Sequence, residues 1–256
     1  MINAQLPTES ILPASGWTDT HVSVRLQRAA GGAIRVEGVL RSAPVWFRWD
    51  GATLWLVGSG ASPVGEDHIH VRVEVGPGCA VAVRSVAATV VYAARGNGTR
   101  WDTEIHVADG ASLDWRPEPV ILTKRACHQA TTTVHATSGA DVTLDEVLVL
   151  GRSGEATGSL RSTLAVRVDD EPVLLTSIDT SLPGWSGPAG VNGATVIANR
   201  LRLGDDHSIG HSQELTASAT QPRTALLHPA PGCRLAVTAT DDVTDARKSL
   251  NAVFPN

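Results

Sequence analysis

The sequence predicts a mostly β protein made of stacked two-strand units, with one or two α-helices packed on it. Three observations lead there. Ile69, Val71, Val73 and Val75 alternate with His68, His70, Arg72 and Glu74, the period-two pattern of a half-buried strand. A strand, a Gly turn, a small residue and a second alternating strand then recur along the chain. Finally, only the last stretch, 241–254, carries a convincing helical pattern.

Taken in order, residues 1–18 are polar and broken by prolines, and read as a loose arm ahead of a single domain over 19–256. Val22, Val24 and Leu26, then Gly31-Gly32, then Ile34 and Val36 read as a hairpin with a Gly turn. Trp46, Phe47 and Trp49 precede a turn at Asp50-Gly51, and Leu54 and Leu56 form the next strand. The tryptophans fit core or edge-covering positions better than a stacking platform for sugars or bases, since Arg48 alone supplies interleaved charge.

The repeated unit follows. Gly78-Cys79, Gly110-Ala111, Gly139-Ala140 and Gly232-Cys233 each precede apolar residues at the third and fifth positions after the glycine. The first three glycines stand 32 and 29 residues apart, and the last follows after 93. A period of roughly 30 residues is the range of stacked supersecondary units, none of which can bury its apolar face alone. Frequent Gly-Ala turns in an ordinary β protein are the plainer alternative. Leu160–Val168, Val173–Ile178 and Ala194–Leu203 read as further strands, with the Pro183–Gly190 run as a loop. In the C-terminal helix, Asp241 or Asp242 caps the start, Val243, Ala246, Leu250 and Phe254 share one face, and Pro255 ends it. A second short helix is weakly indicated near 154–160 or 212–219.

Composition excludes some function classes. The net charge of −5 and the lack of any Lys/Arg block argue against nucleic acid as main partner. Three cysteines without CxxC spacing argue against a disulfide framework or zinc finger, and fit a reducing cytoplasm. No basic-then-apolar leader and no run of transmembrane length is present, so the reading is a cytosolic protein off the membrane.

No familiar catalytic pattern is found. Gly58-Ser59-Gly60 lacks the following Gly-Lys-Ser/Thr of a phosphate loop, and no Gly-x-Ser-x-Gly, His-Glu-x-x-His or EF-hand pattern occurs. Cys127 and His128 are strand neighbours pointing to opposite faces, a poor dyad. His68 and His70 share a strand face and could offer imidazoles to nickel or zinc, yet no third ligand is near in sequence, which favours plain solvent-face residues. His207 and His211 are spaced i, i+4 in a loop-like stretch. Among carboxylates, Asp67 ends a turn, Glu118 sits between Pro117 and Pro119, and Asp145-Glu146 opens the apolar run Val147–Leu150. At least one of Asp145 and Glu146 must point inward. It needs either a buried partner such as Arg152 or a hydrated passage lined by oxygens.

Five segments, in order, resemble the UreD (UreH) urease accessory protein family. Gly58 to Asp67 is similar to the family's Pro-x-Gly-Gly-Asp stretch, and Gly76-Pro77-Gly78 with Ser85–Tyr92 to its Ala-Ala-Thr-Lys-Val-Tyr segment. Trp115–Ile121 is similar to its Trp-x-Pro-Glu/Gln segment, Glu146 through Arg152 to Glu-x-x-x-Leu-Gly-Arg, and Asn192–Thr195 to the late His-Gly-Ala segment. Glu66, Val90 and Asn192 depart from the family's Gly, Lys and His. The resemblance covers roughly residues 20–254. It implies a β-helix-like stack of short strands and an accessory protein that is not an enzyme. Such a protein binds apo-urease subunits and recruits UreF and the GTPase UreG. It also implies nickel in transit through an internal polar tunnel, with no tightly bound cofactor, and it singles out Asp67, Glu118 and Glu146 as the oxygen ligands along that route. Two other readings stand beside it: a metal-dependent enzyme on an all-β scaffold using His68, His70 and a carboxylate, and a β-solenoid module binding saccharide or peptide at Trp46 and Trp49.

Overall fold

A computed structural model describes residues 19–39, 41–93, 96–188, 190–204, 213–216 and 223–254. The proposed arm over 1–18, His207, His211 and Pro255 lie outside these described residues.

Three coils form the centre. β6 (His68–Val75) leads through a corner into β7 (Ala80–Ser85), β9 (Thr99–Val107) into β10 (Ser112–Trp115), and β12 (Cys127–Ala136) into β13 (Asp141–Val149). Each corner is closed by the same bond, from the amide of Cys79, Ala111 or Ala140 to the carbonyl three residues earlier, at 3.1, 3.0 and 3.0 Å. Gly78 and Gly110 sit at φ 64° and 63°, a left-handed backbone that favours glycine. The small residue after each glycine is buried, as the repeat requires.

The coils stack parallel and in register. Ile69 pairs with Trp101, and Trp101 with Ala130, so the ladder steps by the glycine spacings of 32 and 29. The same steps link β7, β10 and β13. Alternate residues of these strands (Val71, Val73, Val83, Ile105, Leu113, Val134, Val142 and Leu144 among them) fill the space between two sheets. Each fully buried Val or Leu stabilises by roughly 1.5–3 kcal/mol relative to exposure.

Further strands widen both sheets. β14 (Ser159–Val168) pairs parallel with β12, and β15 (Glu171–Asp179) turns back on it. β1 (Asp19–Arg28) pairs parallel with β6, and β2 (Ile34–Val39) closes that edge. Among the described residues this gives a seven-stranded sheet ordered β15-β14-β12-β9-β6-β1-β2. The second sheet adds β3 (Arg41–Ser42), β4 (Val45–Trp49), β5 (Thr53–Gly58), β16 (Val196–Leu203), β17 (Gln213–Thr216), β18 (Arg223–Ala230) and β19 (Cys233–Thr240) to the coil strands. Its path runs β17-β18-β19-β16-β13-β10-β7-β5-β4-β3, with β8 (Thr89–Val91) and β11 (Val120–Leu122) paired beside β13. The fold is mostly β and solenoid-like, as the sequence indicates. Phe47 is buried, Trp49 packs against the core, and Trp46 stays partly exposed beneath the Arg41 guanidinium.

α1 (Val243–Val253) covers the outer face of β16 and β19. Asp242 caps it by accepting from the amides of Thr244 and Asp245, while Val243, Ala246, Leu250 and Phe254 pack on Val147, Val196, Ala198 and Ala236. No described helix is long and apolar enough to cross a membrane.

Two expectations need correcting. The Gly232 turn joins β18 and β19 as an antiparallel hairpin and does not form a fourth parallel coil. A Gly turn followed by an alternating strand is local information, and the strand it pairs with is decided elsewhere. Residues 154–160 form turns and the start of β14, with no helix, and 213–216 are the strand β17.

Candidate functional site

Adjacent carboxylates on β13 face opposite ways, and both are enclosed because β13 is covered on both sides. Asp145 points under α1. Arg200, opposite it on β16, donates to both its oxygens, Nε to Oδ1 at 2.6 Å and Nη2 to Oδ2 at 2.7 Å. Arg200 also donates from Nη1 to Asn251 Oδ1 of α1 at 2.9 Å. The partner of Asp145 is therefore Arg200; Arg152 pairs with Glu155 at the surface instead.

Glu146 points between the sheets. Ser162 Oγ, reaching across from β14, donates to Glu146 Oε1 at 2.6 Å, and Asn199 Nδ2 of β16 donates to Oε2 at 3.2 Å. Among the described residues no arginine or lysine pairs with this carboxylate. Burial raises its pKa above the ordinary 4.5, and the two hydrogen bonds only partly oppose that. The residue still keeps surface that water can reach. Asn199 Oδ1, beside it, is buried without a hydrogen-bond partner. This polar group lies in the sheet interior with apolar clusters on either side, one around Val142 and Leu144 and one around Leu148, Leu160 and Ile197.

Asp67 is buried and closes its turn, accepting from Ser62 Oγ at 2.7 Å and the Val64 amide at 3.0 Å. Ser62 and Ser85 line one cavity of about 190 Å³ together with Thr89, Tyr92 and Trp101. The Ser85 hydroxyl also receives the Glu118 amide at 2.8 Å. The Glu118 side chain turns away to the surface and pairs with Arg247 of α1 at 2.8 Å. Glu146 does not line that cavity. Asp67, Glu118 and Glu146 therefore do not form one tight ligand set; among the described residues, the groups close enough to share an ion are histidine–carboxylate clusters on the outer face of the seven-stranded sheet.

His128, weighed in the sequence only as a dyad partner for Cys127, is buried. His128 accepts or donates at Nδ1 with Thr99 Oγ1 at 2.7 Å, and burial pushes its pKa down to about 4. Cys127, its neighbour, points the other way, so the two make no dyad. All three cysteines are free thiols, and burial pushes Cys233 up to about 11.

Comparison with known proteins gives one family. The profile described as UreD urease accessory protein matches residues 19–254. The chain belongs to the UreD family. Among relatives named urease accessory protein UreD, the one from Frankia casuarinae is 39% identical over 60% of this chain and 53% of its own length. That from Frankia alni is 31% identical over 71% of this chain and 75% of its own. The Streptomyces coelicolor protein is 37% identical over 57% of this chain and 59% of its own. The matched stretch thus spans little more than half the length of two of these three relatives.

For this UreD-family chain, Ser162 and Asn199 are the site residues that sequence reasoning missed. A signal existed for the first. Leu160, Ser162, Leu164 and Val166 are in one strand phase, and the serine is the polar break in it. Asn199 gave none, because β16 is buried along almost its whole length and shows no alternation.

Proposed function

We propose that this chain is a scaffold and metallochaperone component of urease maturation. In this reading it binds apo-urease subunits, recruits UreF and the GTPase UreG, and lets nickel pass through a polar interior between its two sheets. It acts in the cytoplasm and performs no catalysis of its own. Family membership and the name carried by its relatives support the setting.

The observation that carries the passage is Glu146. A carboxylate between two sheets, with hydrogen bonds but no cation partner among the described residues, costs stability that an apolar residue would not. Such a cost is expected where function needs it. With Asn199 Oδ1 and the Ser162 hydroxyl it offers several weak oxygen contacts. A conduit needs contacts of that kind, because a tight site would hold the ion. Asp67, behind the Ser62 wall of the 190 Å³ cavity, and Glu118, on the far side of Ser85, are assigned to the approach.

Two measurements test this. Co-elution of the purified chain with urease subunits, UreF and UreG under non-denaturing conditions is the expected result; failure with all of them overturns the scaffold role. Glu146→Leu is expected to lower urease activation while leaving that complex intact. Unchanged activation removes Glu146 from the route.

A further inference from the structure

The face of the seven-stranded sheet that points away from the core carries a histidine group outside the site described above. In-register stacking sets His21, His70 and Asp102 side by side on β1, β6 and β9. The His21 and His70 rings stack with centroids 4.2 Å apart, and the His68 ring lies 3.7 Å from His70. Two carboxylates bracket them. Asp102 Oδ2 is 2.8 Å from His68 Nε2 and 3.9 Å from His70 Nδ1; Asp19 Oδ1 is 3.2 Å from His21 Nε2 and 3.5 Å from His70 Nε2.

His70 is the pivot. Its two ring nitrogens each face a carboxylate, at separations too long for a good hydrogen bond. Metal bonds of about 2.0–2.1 Å set ligand atoms roughly 3–3.4 Å apart in a closed site. The observed separations bracket that range. Asp102 already meets one positive charge, Arg100 Nε at 3.0 Å, so two carboxylates beside one guanidinium leave room for a cation. Imidazole selects borderline metals over magnesium or calcium.

We propose that His21, His68, His70, Asp19 and Asp102 form a surface site for one borderline divalent cation, nickel or zinc. Because a neutral His70 offers a single lone pair, it commits to either the Asp19–His21 side or the His68–Asp102 side, and one ion occupies the group at a time. The site lies outside the interior that holds Glu146 and does not depend on the nickel-passage reading. In a second group, Glu104, His106 and His135, both oxygens of the one carboxylate are engaged, by His106 at 2.7 Å and Arg72 at 3.1 Å. It serves as the control.

The test is equilibrium dialysis of the full chain against nickel chloride, zinc chloride and magnesium chloride at neutral pH. One nickel or zinc ion per chain and no magnesium is expected. His70→Gln, which removes the one imidazole common to both sides, is expected to weaken binding by at least about tenfold, while His135→Gln leaves it unchanged. Metal-free thermal unfolding of the variants checks that they fold. Chemical modification of His21, His68 and His70 in the unaltered chain is expected to slow when nickel is present. Absence of binding, equal binding by His70→Gln, or loss of the ion in His135→Gln alone overturns the proposal.

Discussion

The two faces of β13 solve the same problem differently. Under α1, Asp145 meets Arg200 in a two-pronged ion pair, and Arg200 is tied in turn to Asn251. Between the sheets, one residue along, Glu146 meets a hydroxyl and an amide and no cation among the described residues. The first face is electrically closed and locks the helix to the sheet. The second leaves a proton or a cation as the natural partner of the carboxylate. Neighbouring residues on a strand thus meet different electrostatic environments, because the pleat sends them to opposite faces.

The largest expected effect breaks the closed face. Arg200→Ala leaves Asp145 buried without its partner and is expected to destabilise by about 3–5 kcal/mol, read by chemical denaturation. A small loss would mean that water reaches Asp145 from beneath the helix. The next effect lies on the sheet interior. The folded chain holds His128 near pKa 4 against an ordinary 6.5, so between those values the unfolded chain takes up a proton that the folded chain refuses. Stability is full above pH 6.5 and falls by about 3 kcal/mol as the pH drops through 4. His128→Gln is expected to flatten that acid limb, followed by denaturation at a series of pH values.

The smallest effect has the opposite sign. Glu146 is raised, so its folded form holds a proton that the unfolded form gives up first. Its contribution is full below the ordinary 4.5 and is lost as pH rises through the raised value. Glu146→Gln is therefore expected to be more stable than the unaltered chain at neutral pH, with the advantage vanishing on acidification. Equal stability at all pH values would place Glu146 in a fully hydrated setting and erase the contrast with Asp145.

Much of the fold was legible because it rests on local periodicity. The alternation of His68–Val75, the glycine spacings of 32 and 29, and the capped helix each appear where the sequence puts them. What was hidden depends on pairing across the chain. Arg200 lies 55 residues from Asp145, so proximity pointed to Arg152 instead. The resemblance put Glu118 along an interior route, but Arg247, 129 residues on, holds its side chain at the surface. The outer-face histidines are legible as a pair in His68 and His70. Their partners, Asp102 and His21, are supplied only by the stacking register.

The coil corners carry a further consequence for how such a chain can change length. The glycine corners at 76–79, 108–111 and 137–140 are all of one length, while the coils they belong to differ by three residues. The difference is taken up wholly at the opposite bend, between the register partners Val83 and Thr99 in one coil and Trp115 and His128 in the next. One side of the solenoid therefore works as a fixed hinge line and the other as slack. An inserted residue on the slack side lengthens a loop. One inserted at a glycine corner turns the following strand inside out, exchanging its buried and exposed faces.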